Sequence, residues 1–559
     1  MRVLGRIAMI VAAVGALAPL GAGRPAAAAD PNAWTATEVY IPSTDGVRLH
    51  TFVFRPANLP AGKKTPVILN VSPYNTSGAE PLSPTDVAND PAPSPGGFPL
   101  SAKVFEHGYS YMEVALRGYG ASTGCYDEGG PGERADVKAA VEWAADQKWS
   151  TGRVGMIGHS YDGQTQLMAL GMHPRGLAAV VPSAPPAGYV NFFDDGVSNV
   201  TGRAFGAFYL VSDLQGPSLK APVEHHVNAL NGPLSYPACY PQTEIGTFNN
   251  KPQSQYWRDR DLAAKAAGST IPTLWEQGFD DFNVRPSSFL PLWSTLRGPK
   301  RAFIGPWTHG IGPPNPETLR FLDAYVKQDP AALAYEASAP AVTIQEPDGR
   351  WRTEKSWPPA DTVTRYLGIR SGSYIDGGVN ASESEPPSAV TEVTGDLPVP
   401  LPTGHGTWTF SSPVTREVHL AGTARVRAHV RSILSNSTLI ALLYDIDPAG
   451  QARFIARGGH LLRTAGGQDA SVTLYPNDWR IAPGHRIGLL LTGDDGLWFE
   501  AGKSQLPVRV LSGSLLLPVV SHPRTTFIAS GPYKVAHQPA PFTVAADLIA
   551  RRTAGPLSP

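Results

Sequence analysis

Arg153-Val154-Gly155-Met156-Ile157-Gly158-His159-Ser160-Tyr161-Asp162-Gly163 is the stretch on which the reading of the fold turns. Its apolar run 154–157 predicts a short buried strand that breaks at Gly158, and residues 164–172 predict a helix behind it. The segment from Gly158 to Gly163 is one residue longer than the five-residue Gly-x-Ser-x-Gly pattern. A serine on a sharp strand-to-helix turn projects its hydroxyl off the sheet, while flanking glycines let neighbouring backbone approach closely. The amide groups at the start of the helix then face any negative charge that develops there. Taken alone, Gly-x-Ser-x-x-Gly equally describes an ordinary strand-to-helix turn, so the surrounding chain has to decide.

Upstream, residues 34–40 and 47–55 read as alternating strands joined at Ser43-Thr44-Asp45-Gly46, and 66–71 as a continuous apolar strand. That strand ends at Ser72-Pro73-Tyr74-Asn75, which sets Tyr74 just beyond a strand's carboxyl end, where open α/β sheets place their ligands. Residues 77–98, rich in Pro, Ser, Asp and Gly, read as a surface excursion. A strand at 109–116 and a helix at 132–149 precede the serine segment, and a strand at 177–181 follows it. Strands at 273–277 and 301–304 and helices at 290–296 and 319–326 complete the pattern. Strands and helices alternating at this spacing predict a mostly parallel, doubly wound sheet.

Between 187 and 261 lie aromatics, prolines and broken helical stretches with no clear strand, which predicts a cap inserted over the sheet. From 341 onward short β-rich runs separated by turn signals predict an all-β sandwich. The expected organisation is a leader at 1–29, an α/β domain from 30–186 and 262–335, a cap at 187–261, and a sandwich at 340–555.

The chain has 559 residues, enough for more than one core. Arg2 and Arg6, an apolar run at 7–20 and the small residues ending in Ala26-Ala27-Ala28-Ala29 predict a secretory leader cut before Asp30, hence a secreted protein with no membrane span in its mature part. Removing it takes away Arg2, Arg6 and Arg24 and no acid, moving the formal charge from −1 to −4. No basic stripe stands out, which argues against nucleic acid as a partner. Cys125 and Cys239 are the only cysteines, and sequence does not show whether their backbones meet. No zinc spacing or calcium loop is present, so neither metal nor other cofactor is expected. Oligomeric state is not legible.

Ser160, Asp281 and His309 supply a nucleophile, a carboxylate and an imidazole in that order, each after a predicted strand. Serine needs a base near neutral pH, histidine supplies it, and an acid fixes the imidazole tautomer. This order is that of the α/β-hydrolases. Asp280 is the rival to Asp281.

With these residues in view, 151–163, 275–286 and 305–310 resemble the Xaa-Pro dipeptidyl-peptidase and cocaine-esterase hydrolases, the peptidase S15 or CocE/NonD family. The resemblance implies that Ser160 is the nucleophile, that Gly278 and Asp281 form the family's Gly-x-x-Asp, favouring Asp281 over Asp280, and that His309 follows Gly305-Pro306-Trp307 as the base. It further implies an oxyanion hole from the Tyr161 N–H and the Tyr74 hydroxyl, and a jelly-roll carboxy-terminal domain. Asp281-Phe282-Asn283-Val284-Arg285-Pro286 looks more like the dipeptidyl-peptidase members than the esterases. An aminopeptidase has to pair its substrate's ammonium with an acid, for which Asp194, Asp195 and Glu224 are the candidates. The expected function is therefore a secreted serine hydrolase with a Ser-His-Asp triad and an acyl-enzyme mechanism, an Xaa-Pro dipeptidyl-peptidase-like enzyme acting on a small peptide. Hydrolysis of small acyl esters or amides is the alternative enzyme, and an inert binding protein that uses its sandwich is the alternative class.

Overall fold

The computed structural model describes residues 32–74, 102–188, 191–198, 246, 249, 251–281, 283–309, 315–377, 406–495, 499, 504–528 and 541–559. The leader, Glu224 and Cys239 lie outside them. Cys125 is disulfide-bonded.

A ten-stranded sheet organises the first domain. Its strands are β1 (Trp34–Pro42), β2 (Arg48–Pro56), β3 (Thr65–Ser72), β4 (Ser110–Ala115), β5 (Ser150–His159) and β6 (Leu177–Ser183). They continue, after a short hairpin β7 (Phe193–Asp194) and β8 (Val197–Ser198) that stands apart, with β9 (Thr273–Gly278), β10 (Lys300–Gly305), β11 (Val342–Gln345) and β12 (Trp351–Glu354). The spatial order is β1-β2-β4-β3-β5-β6-β9-β10-β11-β12. Pairing is parallel from β4 through β11, and antiparallel at both ends.

Strands β3, β6 and β9 are buried along their whole length, as expected of parallel strands covered on both faces. Alternate residues feed two cores: Val67, Leu69 and Val71 of β3 enter one, and Ile68 enters the other. Helix α1 (Pro131–Asp146) starts with proline at its first position, where no amide donor is needed, and buries Val137, Ala140, Val141 and Ala144 on one face. Helix α2 (Tyr161–Met172) follows β5 with only Ser160 between them. From β3 the chain passes to β4 on one side and returns to β5 on the other, so a topological switch point opens between the carboxyl ends of β3 and β5. Tyr74 and Ser160 stand at those two ends.

The second domain packs a seven-stranded sheet against a six-stranded one, and both are mainly antiparallel. Val426, Val510 and Leu515 from the first meet Leu439, Leu443 and Leu489 from the second in a shared core. Two readings of the sequence need correction. Residues 341–345 carry the β-rich composition of the sandwich, yet β11 pairs with β10 through Ala302↔Val342, Phe303↔Thr343 and Ile304↔Ile344 and extends the first sheet. Composition reports strand propensity and not the edge a strand joins. The stretch read as strandless holds the β7–β8 hairpin, two residues per strand and too short to show a period. Val197 of that hairpin packs among Trp408, Phe410 and Leu442 of the sandwich.

Candidate active site

Ser160 joins β5 to α2 with φ 60° and ψ −123° and is 6% exposed. A positive φ at a residue with a side chain is strained and persists only where its surroundings hold it. Here its N–H donates to the Ser183 carbonyl at 2.9 Å, and its carbonyl accepts the Gln164 N–H at 2.9 Å. Gly163 explains the motif's last position: a Cβ there would stand 2.7 Å from the Ser183 carbonyl oxygen. The next residue is anchored from below, since the Tyr161 hydroxyl donates to Glu133 at 2.6 Å. Glu133 also accepts the amides of Asp127 and Gly129 at 2.9 and 2.8 Å. Burial still raises its pKa to about 7.

Above the turn, the Tyr161 N–H points at the Tyr74 hydroxyl, 3.3 Å away. Tyr74, 41% exposed, is fixed through its own amide, which donates to Ser72 Oγ at 2.9 Å. The Tyr161 N–H thus donates to the Tyr74 hydroxyl, which brings the chain beyond β3 against the first residue of α2 beside the serine.

The acid and the imidazole come from the ends of β9 and β10, which run in register with Gly278 opposite Gly305. Gly278 allows this meeting because a Cβ would lie 2.1 Å from the Trp307 carbonyl oxygen. Asp281 is fully buried. Its Oδ1 accepts the Asn283 and Val284 amides at 2.9 and 2.7 Å, which leaves Oδ2 for His309 Nδ1 at 2.9 Å. This geometry fixes the tautomer with Nε2 facing away from the acid. His309 Nε2 is buried and has no hydrogen-bond partner among the described residues. The His309 ring lies against that of His159, centroids 4.3 Å apart, immediately before Ser160 in the chain. Burial, then the neighbouring His309, holds His159 well below the usual imidazole pKa, so a neutral ring lines this side.

Of the three acids proposed for a substrate amine, two are engaged within the protein. Asp194 lies 3.1 Å from the buried Arg285 guanidinium and accepts the Tyr475 hydroxyl at 2.8 Å. Asp195 pairs with His460 and, at 3.0 Å, with Arg463 of the sandwich. Both acids tie the β7–β8 hairpin to neighbouring structure, while Glu224 lies outside the described residues. Sequence reasoning passed over Asn191, whose side chain donates to the Asn283 carbonyl at 3.2 Å and accepts the Arg285 amide at 3.0 Å, so that it straps the Asp281 loop. It also passed over Glu276, although an acid within the strand predicted at 273–277 was a visible signal.

Among the described residues, Glu346, His419 and Asp478 bring three potential metal-ligand atoms within 4.8 Å of one another. Arg352 and Arg480 already hold these carboxylates, which makes the cluster an ion-pair network. No helix among the described residues is long and apolar enough to cross a membrane.

A serine on a strained strand-to-helix turn, with an acid–imidazole pair delivered by the next parallel strands, defines the class as a serine hydrolase on an α/β-hydrolase sheet. Residues 45–311 match the family described as X-Pro dipeptidyl-peptidase (S15 family), and 336–531 match the X-Pro dipeptidyl-peptidase C-terminal non-catalytic domain. The chain belongs to this S15 and CocE/NonD hydrolase family. A Streptomyces avermitilis protein provisionally named a Xaa-Pro dipeptidyl-peptidase is 26% identical over 458 residues, covering 75% of this chain but only 64% of its own length. Cocaine esterase of a Rhodococcus species is 25% identical over 501 residues, covering 77% of this chain and 83% of that one. Among solved structures, an aminopeptidase from a marine-sediment Thaumarchaeota archaeon superposes with a TM-score of 0.67 at 16% identity, covering 90% of this chain and 99% of that one.

Proposed function

We propose that this chain is an exported serine hydrolase that releases Xaa-Pro dipeptides from free N-termini through an acyl-enzyme. The observation that carries the hydrolytic part is the 2.9 Å Asp281–His309 hydrogen bond, with the His309 ring packed 4.3 Å from that of His159, the residue before Ser160. In this reading His309 Nε2 takes the Ser160 proton as Oγ attacks the scissile carbonyl, and the carbonyl oxygen becomes an oxyanion held by the Tyr161 N–H and the Tyr74 hydroxyl. The same proton passes to the leaving amine as the C–N bond breaks. Water then repeats the sequence: it attacks the acyl carbon, gives its proton to His309, and Ser160 leaves protonated. The family description and the Asp281 to Pro286 run support the peptidase choice. The leader supports export, which the mass of a secreted chain beginning at Asp30 would test.

A specific observation favours ester or acyl-amide hydrolysis as the second reading: Asp194 and Asp195 already have protein partners, which leaves Glu224 to meet a substrate ammonium. The two separate on Xaa-Pro-nitroanilide, its N-acetyl form and short-chain nitrophenyl esters. A peptidase is expected to lose about 10²–10³-fold in kcat/KM on N-acetylation, the scale of breaking a desolvated ion pair. Turnover of esters alone overturns it. Ser160→Ala should lower kcat on any good substrate by about 10⁴–10⁶-fold. Retention of activity within tenfold removes Ser160 from the chemistry.

A further inference from the structure

Glu276 is a buried acid that the reaction above does not use. It sits on β9 and is 1% exposed. Oε2 accepts the Ser183 hydroxyl at 2.5 Å, Oε1 accepts the Trp307 indole N–H, and its backbone carbonyl accepts the Ala184 N–H at 3.0 Å. These partners belong to the segments that carry the three reacting side chains. The Ser183 carbonyl accepts the Ser160 N–H at 2.9 Å and so holds the strained turn. Trp307 precedes His309 by two residues, and its carbonyl accepts the Asp280 N–H at 3.1 Å. Asp281 itself lies five residues beyond Glu276 on the same strand and loop.

We propose that Glu276 is a positioning residue for the hydrolytic site: its carboxyl braces the Ser160 turn against the His309 turn and sets a titratable charge behind the His309–Asp281 pair. The brace follows from connectivity, since one rigid side chain on a fully buried strand satisfies a hydroxyl on β6 and an indole from the loop after β10. The charge follows from what surrounds it. Burial lifts the carboxyl to about 7, the Ser183 and Trp307 hydrogen bonds oppose that rise, Asp281 adds to it and His309 opposes it. His159 completes the titratable set from β5 as a neutral ring against His309. A carboxyl raised to about 7 changes its charge near neutral pH, and no salt bridge among the described residues fixes it as the anion. Neutralising position 276 therefore removes a charge that the parent gains behind the His309–Asp281 pair as pH rises through about 7.

The inference rests on the serine-hydrolase reading but not on the choice between peptide and ester. Its test is the rate at which a fluorophosphonate labels Ser160 from pH 5 to 9 in the full chain, for the parent, Glu276→Gln and Glu276→Ala. Absence of labelling in the parent would defeat the hydrolase reading itself, a different outcome from any below. Glutamine can still accept from Trp307 and donate to Ser183, so its plateau should fall within tenfold of the parent. Its profile should lack the step near pH 7 that ionisation of the Glu276 carboxyl adds to the parent's. Alanine loses the brace as well and should label about 100-fold more slowly, the scale of a small misplacement of reacting groups. Should the alanine variant fail to fold, the glutamine profile decides alone. A Glu276→Gln profile superimposed on the parent's overturns the proposal.

Discussion

Two groups of buried acids in this protein sit at similar depth, and Asp478 of the first shifts in the opposite direction to all three of the second. At the seam between the domains, Glu346 accepts Arg352 at 2.8 Å and Arg480 at 2.7 and 2.8 Å, while Asp478 accepts Arg352 and, at 2.8 Å, His419. Burial alone would raise Asp478, but the charges of Arg352 and His419 outweigh it and hold the acid well below the usual carboxylate range. Around the proposed nucleophile Ser160, Glu133, Asp162 and Glu276 have neutral donors instead: Tyr161, Asn70, Ser183 and Trp307. All three are raised to about 7 by desolvation. The partner's charge, and not depth, sets the direction. The seam is built to stay ionised and hold two domains together, whereas the site keeps acids whose charge can change near neutral pH.

The largest effect should come from breaking the seam. Arg352 is 1% exposed and reaches Glu346, Glu354 and Asp478 at once. Arg352→Met leaves those acids under-compensated and should lower unfolding free energy by about 3–5 kcal/mol, read from the denaturant midpoint. Ser160 labelling of the remaining folded protein should stay within about twofold. A midpoint unchanged from the parent would deny the seam its structural role.

At the site, Asp162→Asn keeps the shape and the Asn70 contact but removes the charge. An acid with a raised folded pKa binds its proton more tightly when native, so its ionisation lowers stability as pH rises from the ordinary 3.8 to about 7. The variant should therefore gain on the parent across that window, by on the order of 4 kcal/mol in total, and stay parallel to it above. Parallel stability curves throughout would mean that Asp162 is ionised in the native state over the whole range.

The contrast between the clusters also explains what the sequence could convey. That Ser160, Asp281 and His309 each stand beyond a strand was legible from short-range patterns, whereas the choice of Asp281 over Asp280 and the pairing of Tyr74 with Tyr161 came from the family resemblance, and Gly163 and Gly278 mark where backbone has to pass close. The switch point between β3 and β5 follows from strand alternation together with the insertion of β4. Glu346, Arg352, His419 and Asp478 were not legible, because they come from distant strands of two domains and no local period ties them. Glu276 was visible as an acid on an apolar strand, but its partners Ser183 and Trp307 became definite only once β6, β9 and β10 lay side by side. The Asp194 and Asp195 pairings depend on where an insertion lands on the sandwich, and nothing in the insertion's own composition encodes that.

Asp195 gives the smallest effect and the sharpest separation of the two kinds of acid. It resembles the seam acids in having cations, since the hydrogen bond to His460, more than the one to Arg463, lowers it to about 2. It differs in exposure, with 48% of its side chain open to solvent, so water screens most of that interaction. A depressed carboxylate stabilises the fold above its ordinary 3.8 and loses that contribution as pH falls toward 2. Asp195→Asn should therefore cost less than about 1 kcal/mol at pH 7 and nothing near pH 2. The same variant tests the amine-binding role. An acid that meets a substrate ammonium would raise KM for Xaa-Pro-nitroanilide at least tenfold and leave the N-acetyl form unchanged, whereas an acid committed to His460 and Arg463 leaves both within about twofold. The second outcome is expected, because satisfying a substrate cation would first require Asp195 to abandon two partners it already holds.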